Sequence, residues 1–343
     1  MKEKLRLVII LICICNSFST LAQLGGESTY DFLNLTNSAR VAALGGNQVG
    51  LRDGDLNLVF HNPAALNDTL DNQLTLNFVP YMVDVKYGYA GYARHFKGVG
   101  TFSAGIHSIN YGTFDRADES GVITGTFSAA EYAINFTYSR PLTPRWTAGI
   151  AVKPVISNFE SYNSFGLAAD IGLMYSTPSR LFSAGMTLKN FGSQLSTYNE
   201  TYEPLPTDLQ MGMAYKLAHA PFRFSVTAQH LLKWDLSYKI PEAENGSANN
   251  TTEDDGSIGF VDNMARHMVF GVEFMPAKNF YVAAGYNHRR RQELKIEEKA
   301  STVGFSWGFG FRIYKFHFAY GSARYHLAGS SNHFSISTNL SAF

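Results

Sequence analysis

Three stretches of this sequence, together with its histidines, carry residue types that could do chemistry. "GFSWG", Gly304 to Gly308, matches the G-x-S-x-G pattern of serine hydrolases, whose nucleophile needs a sharp strand-to-helix turn to expose its hydroxyl. "DGDLN", Asp53 to Asn57, starts like a calcium loop, but Leu58 and Ala64 stand at the sixth and twelfth positions, where that loop needs Gly and Glu. Turn and capping roles are the better expectation there, with a cation held by the acidic residues as the alternative. The ten histidines show no paired metal spacing such as H-E-x-x-H, and most fall near expected strand ends or loops, so solvated or interfacial positions are expected and no cofactor or metal site follows. "NHRRRQELKIEEK", Asn287 to Lys299, is the densest charge run. It reads either as a solvated loop with internal Arg–Glu pairing or as a grip by Arg289, Arg290 and Arg291 on phosphate groups or an acidic partner, since planar guanidinium forks suit phosphate.

Which of these chemistries is possible depends on the elements that carry the residues. Asp, Glu, Lys and Arg make up 16% of the 343 residues, against about 25% in ordinary soluble domains, and aromatic residues reach 14%. Net charge is zero, which removes nucleic acid as an expected partner. The opening "MKEKLRLVIILICICNSFSTLAQ" has a basic start, an apolar run from Leu7 to about Cys15, and small residues ahead of a cut between Ala22 and Gln23. That is the pattern of a secretory signal peptide, too short in its apolar run to anchor in a bilayer. Both cysteines leave with it, so disulfides and thiolate metal sites are not expected afterwards.

After residue 22 the dominant signal is period-two alternation. In "TVGFSWGFGFRI", Val303, Phe305, Trp307, Phe309, Phe311 and Ile313 share one face, with Gly304, Ser306, Gly308, Gly310 and Arg312 on the other. The alternation runs straight through Ser306, which leaves no nucleophile elbow, and the chain is not expected to be an enzyme. About fourteen such segments occur, near 73–79, 86–96, 98–109, 130–140, 146–157, 164–176, 181–191, 207–217, 222–234, 266–276, 279–289, 302–313, 315–322 and 333–342. Most have the roughly 9 to 12 residues a tilted strand needs to cross a bilayer. Every second connection is short ("KG", "LTPR", "TPSR", "AHAP", "PAK", "Y") and those between are usually much longer. The expectation is therefore an all-β fold, a transmembrane antiparallel β-barrel of about fourteen strands with both termini on the short-turn, periplasmic side.

A closed barrel also accounts for the last segment, "HFSISTNLSAF", which ends the chain on an apolar face and Phe343 without a covering tail. The last strand pairs with the first and no edge is left. Because charge is costly in hydrocarbon, Asp170, Lys189, Asp208, Lys216, Arg223, Lys233, Glu273 and Arg312, all opposite the aromatics, are assigned to the lumen. They would act as neutralising cross-strand pairs or as an ion-selective lining. Small residues on that face, among them Gly166, Gly172, Gly285 and Gly308, leave room inside.

Residues 23–72 lack the alternation. A short helix is expected at Ser38 to Leu44, stopped by Gly45 and Gly46, and a second starts at Asn62 with Pro63 at its first position and Ala64 next. The layout is a signal peptide at 1–22, a hatch folded into the lumen at 23–72, and the barrel at 73–343, with a free periplasmic segment as the alternative for 23–72.

"SARVAALGG" (Ser38 to Gly46), followed by Asp53, Asp55 and "HNPAAL" (His61 to Leu66), resembles the long-chain fatty acid transporter (FadL-like) superfamily of outer-membrane barrels. Within it, "YDFLNLTNSARVAALGG" is most similar to the PorV/PorQ group of type IX secretion system barrels from Bacteroidetes. That resemblance implies the outer membrane of a Gram-negative bacterium and membership of a cell-surface attachment complex. Its implied partners are membrane lipid and lipopolysaccharide, a surface peptidase-like transferase, a lipopolysaccharide-binding protein and a PorV-like barrel. It implies no catalytic residues and no cofactor. A lipopolysaccharide contact would fall to Arg289, Arg290 and Arg291. The alternative, from the wider superfamily, is a channel for small hydrophobic solutes.

Overall fold

The computed structural model describes residues 28–82, 84–236, 259–294, 302–326 and 329–343. The expected signal peptide with Ala22 and Gln23, and the acidic stretch from Glu242 to Ser257, lie outside them. Among the described residues fourteen strands are hydrogen-bonded in sequence order: β1 (Gln73–Pro80), β2 (Lys86–Phe96), β3 (Gly100–Ala117), β4 (Ile123–Pro141), β5 (Trp146–Phe159), β6 (Tyr162–Ser176), β7 (Phe182–Ser196), β8 (Asp208–Lys216), β9 (Phe222–Ala228), β10 (Met268–Ala277), β11 (Phe280–Asn287), β12 (Phe305–Ile313), β13 (Phe316–His326) and β14 (Gly329–Asn339). All neighbours are antiparallel, and β1 pairs with β14 through Thr75↔Ser337 and Phe78↔Phe334, which closes the barrel.

The two faces separate by residue type. Outward positions are apolar and open, as at Phe78 (51% exposed), Phe136 (54%) and Trp307 (54%), while their inward neighbours Thr75, Ser139 and Ser306 are buried. A greasy exterior around a buried polar interior is the reverse of a soluble domain and suits a wall that meets hydrocarbon.

Strands β3, β4, β9 and β14 differ from the sequence expectation. β3 and β4 continue past residues 109 and 130 as a hairpin whose far part is exposed on both faces, with Phe114 stacked on Phe127 at 5.3 Å. Alternation lapses there because, beyond the wall, neither face has a distinct solvent. β9 stops at Ala228 rather than near 234, so Lys233 sits in a turn instead of lining the lumen. At the C-terminus β14 ends at Asn339, whose side chain caps a 3-10 turn at Leu340–Ala342. The turn leaves Phe343 exposed against Phe316 at 5.9 Å.

Two short helices stand at the long-loop end, α2 (Phe260–Arg266) and α3 (His288–Leu294), tied by His288 Nε2 to Asp262 at 2.8 Å. Ahead of β1, helix α1 (Ala39–Ala43) and four single 3-10 turns lie against the inward faces of the strands. The buried apolar clusters are built between this N-terminal segment and the wall, as with Leu44, Leu51 and Leu58 beside Met174, Tyr281 and Ala283.

Candidate functional site

The lumen is the candidate site, and it is built by the N-terminal segment docking on a wall shaped for it. Helix α1 starts where the Ser38 side chain accepts the Val41 N–H. It ends as Gly45 and Gly46 take positive φ of 98° and 96°, with the Gly46 N–H closing onto the Val41 carbonyl at 2.9 Å. The next anchor is Asn62, whose side chain accepts the Ala64 N–H at 3.0 Å and donates to the Val49 carbonyl at 3.1 Å, with Pro63 between.

Glycine on the wall makes this contact possible. A Cβ at Gly285 would lie 2.1 Å from the Gly45 nitrogen, at Gly321 2.1 Å from the Ala39 carbonyl oxygen, at Gly185 2.3 Å from the Val49 oxygen, and at Gly149 2.4 Å from the Pro63 carbonyl carbon. The segment's backbone thus rests directly on the strands, and its polar groups are met by wall hydroxyls. Ser306 donates to the Ala43 carbonyl at 2.9 Å and accepts from the Gly45 N–H at 3.0 Å, Ser335 accepts from the Ala39 N–H at 2.9 Å, and Ser183 donates to the Gly50 carbonyl at 2.7 Å. The serine of "GFSWG" is therefore a docking residue on a straight strand. Gly285→Val is expected to cost about 1–3 kcal/mol by overpacking, read as a lower midpoint of thermal unfolding in detergent. Gly125→Val, in the outer hairpin with nothing near its missing Cβ, should leave the midpoint nearly unchanged.

One ionic cluster fastens the segment further, and a second lies in the wall beneath it. In the first, Arg40 of α1 reaches three carboxylates: Nε to Glu273 at 2.8 Å, NH1 to Asp55 at 3.0 Å and NH2 to Asp53 at 2.7 Å. Arg223 completes it, bonding Asp53 at 2.9 Å and its cross-strand partner Glu273 at 2.5 Å. Burial alone would raise the Asp53 carboxyl, but the two guanidinium groups outweigh it and hold Asp53 well below the usual carboxylate range. The oxygens of "DGDLN" are thus occupied by arginines, and Asp55 also caps the 3-10 turn at Leu56–Phe60.

The second cluster lies on β5 to β8. Lys153 and Asp170, each with 2% of its side chain exposed, meet at 2.6 Å. A bulge in β7, with Asn190 at φ 53° and Gly192 at φ 159°, turns Asn190 inward. There Asn190 accepts from Lys153 at 2.8 Å and gives its backbone N–H to Asp170 at 2.8 Å. Lys189 is buried beside its register partner Asp208, with its ammonium 5.3 Å from the Phe60 ring centre. Burial first, then the ammonium groups of Lys189 and Lys153, push His61 well below the usual histidine range and keep it neutral.

Of the charges assigned to the lumen, Asp170, Arg223 and Glu273 form pairs there, while Lys216 and Arg312 are exposed at the short-turn end. Arg40 and Lys153 were not singled out from the sequence, although a charged residue inside an apolar helix or on an inward strand position of so lightly charged a chain is the signal that marks them. His107 and His333 depart from the interfacial expectation, being fully buried on the lumen side.

Arg289, Arg290 and Arg291 share α3 but diverge. Arg289 pairs with Glu293 at 2.6 Å, Arg290 reaches into the lumen mouth beside Gly46, and Arg291 packs on Gly304. The structure does not bring the three together as one fork.

No known family profile and no curated protein matches the chain. The fold is similar to that of the Ralstonia pickettii toluene transporter TbuX, with a TM-score of 0.53 at 13% identity over 89% of this chain and 99% of that one. It is likewise similar to the Pseudomonas putida toluene transporter TodX, with a TM-score of 0.52 at 13% identity over 90% and 99%. At this identity the likeness is one of fold.

Proposed function

We propose that this chain is an integral outer-membrane barrel of a Gram-negative, Bacteroidetes-type bacterium, with its short turns and termini periplasmic and its long loops outside. Its role is that of a non-enzymatic anchor in the type IX secretion attachment complex. The observation that carries this reading is the lumenal segment, fastened by a buried ionic cluster to Arg223 and Glu273 of the wall and seated backbone-to-backbone on glycines. Such a plug suits a rigid platform better than a conduit. The apolar exterior supports the membrane location, and the opening stretch from Tyr30 to Gly46 supports the secretion role.

In this role the hydrocarbon belt holds the barrel while the long-loop rim presents α2, α3 and the β3–β4 hairpin to surface partners. Lipopolysaccharide or acidic partner contacts are assigned to Arg289, Arg290 and Arg291. The second reading, a channel for small hydrophobic solutes, draws on the fold likeness to the two toluene transporters.

Purified barrel in a planar bilayer, together with mild-detergent pull-downs from native membranes, separates the two. The anchor reading expects no steady conductance or solute uptake, and co-purification of surface-complex subunits that weakens when the three arginines become Gln. Solute-selective uptake without such partners would replace it with the channel.

A further inference from the structure

The six short connections share a composition that neither the barrel nor its plug requires. In each stretch, 94–100, 139–147, 175–183, 214–224, 274–281 and 311–317, Lys or Arg occurs and Asp or Glu does not. At least one exposed cation stands at every turn, namely Lys97, Arg145, Arg180, Lys216, Lys278 and Arg312, with Arg94 and Arg140 exposed beside the first two. Among the described residues none of these six side chains forms an ion pair. The opposite end mixes signs, with Asp84, Asp115, Asp118 and Glu119 exposed and Arg116 bound to Glu160 at 2.6 Å.

Within two residues of each cation stands an aromatic ring: Phe96, Trp146, Phe182, Tyr215, Phe280 and Tyr314. Amphipathic and aromatic rings of this kind settle at head-group depth, and long cationic side chains extend just beyond them. The six charges therefore form a ring at the level of phosphodiester groups. A shallow groove of about 430 Å³ adds a seat for a chain: Phe102, Phe136 and Ile150 line it, with Tyr92 and Tyr138 beside them and Arg94 at the turn end.

We propose that this rim is a binding surface for anionic glycerophospholipid, which takes the head-group phosphates on the turn cations and an acyl chain along the groove below Arg94. The proposal rests on the membrane reading above and is independent of the secretion role. Six turns that carry cations and no carboxylate, with Asp71 beside Arg94 at 3.8 Å as an acidic neighbour at the seam, make the surrounding lipid shell selective for anionic head groups.

The test is spin-label electron resonance on the full-length barrel in phosphatidylcholine vesicles, comparing labelled phosphatidylglycerol with labelled phosphatidylcholine in the motionally restricted shell. The native protein is expected to enrich the anionic label, and 0.5 M salt, a concentration of about this order being enough to screen exposed charge, should abolish the preference. Changing all six cations to Gln should remove it, with roughly a fivefold loss of relative association per cation at most. Single-turn changes, such as Lys97→Gln alone, give graded losses if the sixfold variant does not fold. Equal association of both labels with the native protein, or a preference that survives salt, would overturn the proposal. Capture of a soluble acidic protein or glycan by the rim without anionic-lipid preference would overturn it in favour of that partner. A preparation that restricts neither label would overturn the membrane reading itself.

Discussion

Replacing Arg40 with Met is expected to release the N-terminal segment from the lumen. The native cluster sets two guanidinium groups against three carboxylates, and the variant would leave Asp53, Asp55 and Glu273 facing Arg223 alone. Removing one partner of a buried ionic network typically costs about 3–5 kcal/mol, because the remaining charge stays desolvated and uncompensated. Lys at this position should restore little, since the guanidinium spreads its hydrogen bonds over three carboxylates and one ammonium cannot span them. The expected readouts are protease cutting between residues 28 and 72, a lower unfolding temperature in detergent, and the appearance of conductance in planar bilayers. The clamp also has a pH signature. Asp53 is held below its unfolded value of about 3.9, so its contribution is complete above that value and is lost as pH falls through the folded one. Protease protection of the segment should therefore be flat from about pH 5 to about pH 8 and decline only in strong acid. A native protein that opens near neutral pH would show that something other than this cluster holds the segment.

Asp170→Asn is expected to have an effect of similar size by a different route. Asp170 lies inside the barrel wall and neutralises Lys153, and the Asn190 backbone also depends on it. The amide can keep the backbone hydrogen bond but leaves two buried ammonium groups, Lys153 and Lys189, without that neighbouring charge. The same range of about 3–5 kcal/mol applies. A double variant, Lys153→Met with Asp170→Leu, should recover most of the loss, because a buried pair is often replaceable by apolar residues of similar volume although one half of it is not. Heat-modifiable gel mobility and thermal unfolding would measure both. If the single variant were as stable as the parent, water would have to reach the cluster, and the picture of a tightly packed lumen would be wrong.

The strand pattern was largely legible because a barrel wall imposes two different solvents on alternate residues. Phe305, Trp307 and Ile313 could be assigned outward before any coordinates, and closure followed from alternating connection lengths. Where the chain leaves the wall the information disappears: the β3–β4 hairpin kept its hydrogen bonds but lost the contrast between faces, and the turn after Ala228 carried enough apolar residues to imitate a continued strand. The lumen was less legible. Arg40 looks like one residue of a short helix, since its carboxylate partners Asp53, Asp55 and Glu273 are spread over more than 200 positions of sequence. No local period reports such a convergence. The inward turn of Asn190 depended on a bulge, which a strict two-residue repeat cannot anticipate. The glycines of β6, β11 and β12 did mark free space, but only the docked segment shows what takes each one, and Gly149, Gly185 and Gly321 carried no such mark in the sequence.

The lumenal segment touches both sides of the barrel's seam. Asn57 accepts from Asn77 of β1 at 2.7 Å and from Thr75 of β1 at 2.9 Å, while Ala39 donates to Ser335 of β14 at 2.9 Å. The first and last strands are thus held by one short stretch of chain that is synthesised before either. During biogenesis that stretch can act as a jig, aligning the two edges for zipping and setting their register. Insertion and filling would then be a single event, and a chain lacking residues 28–72 would be expected to stall with its seam unsealed.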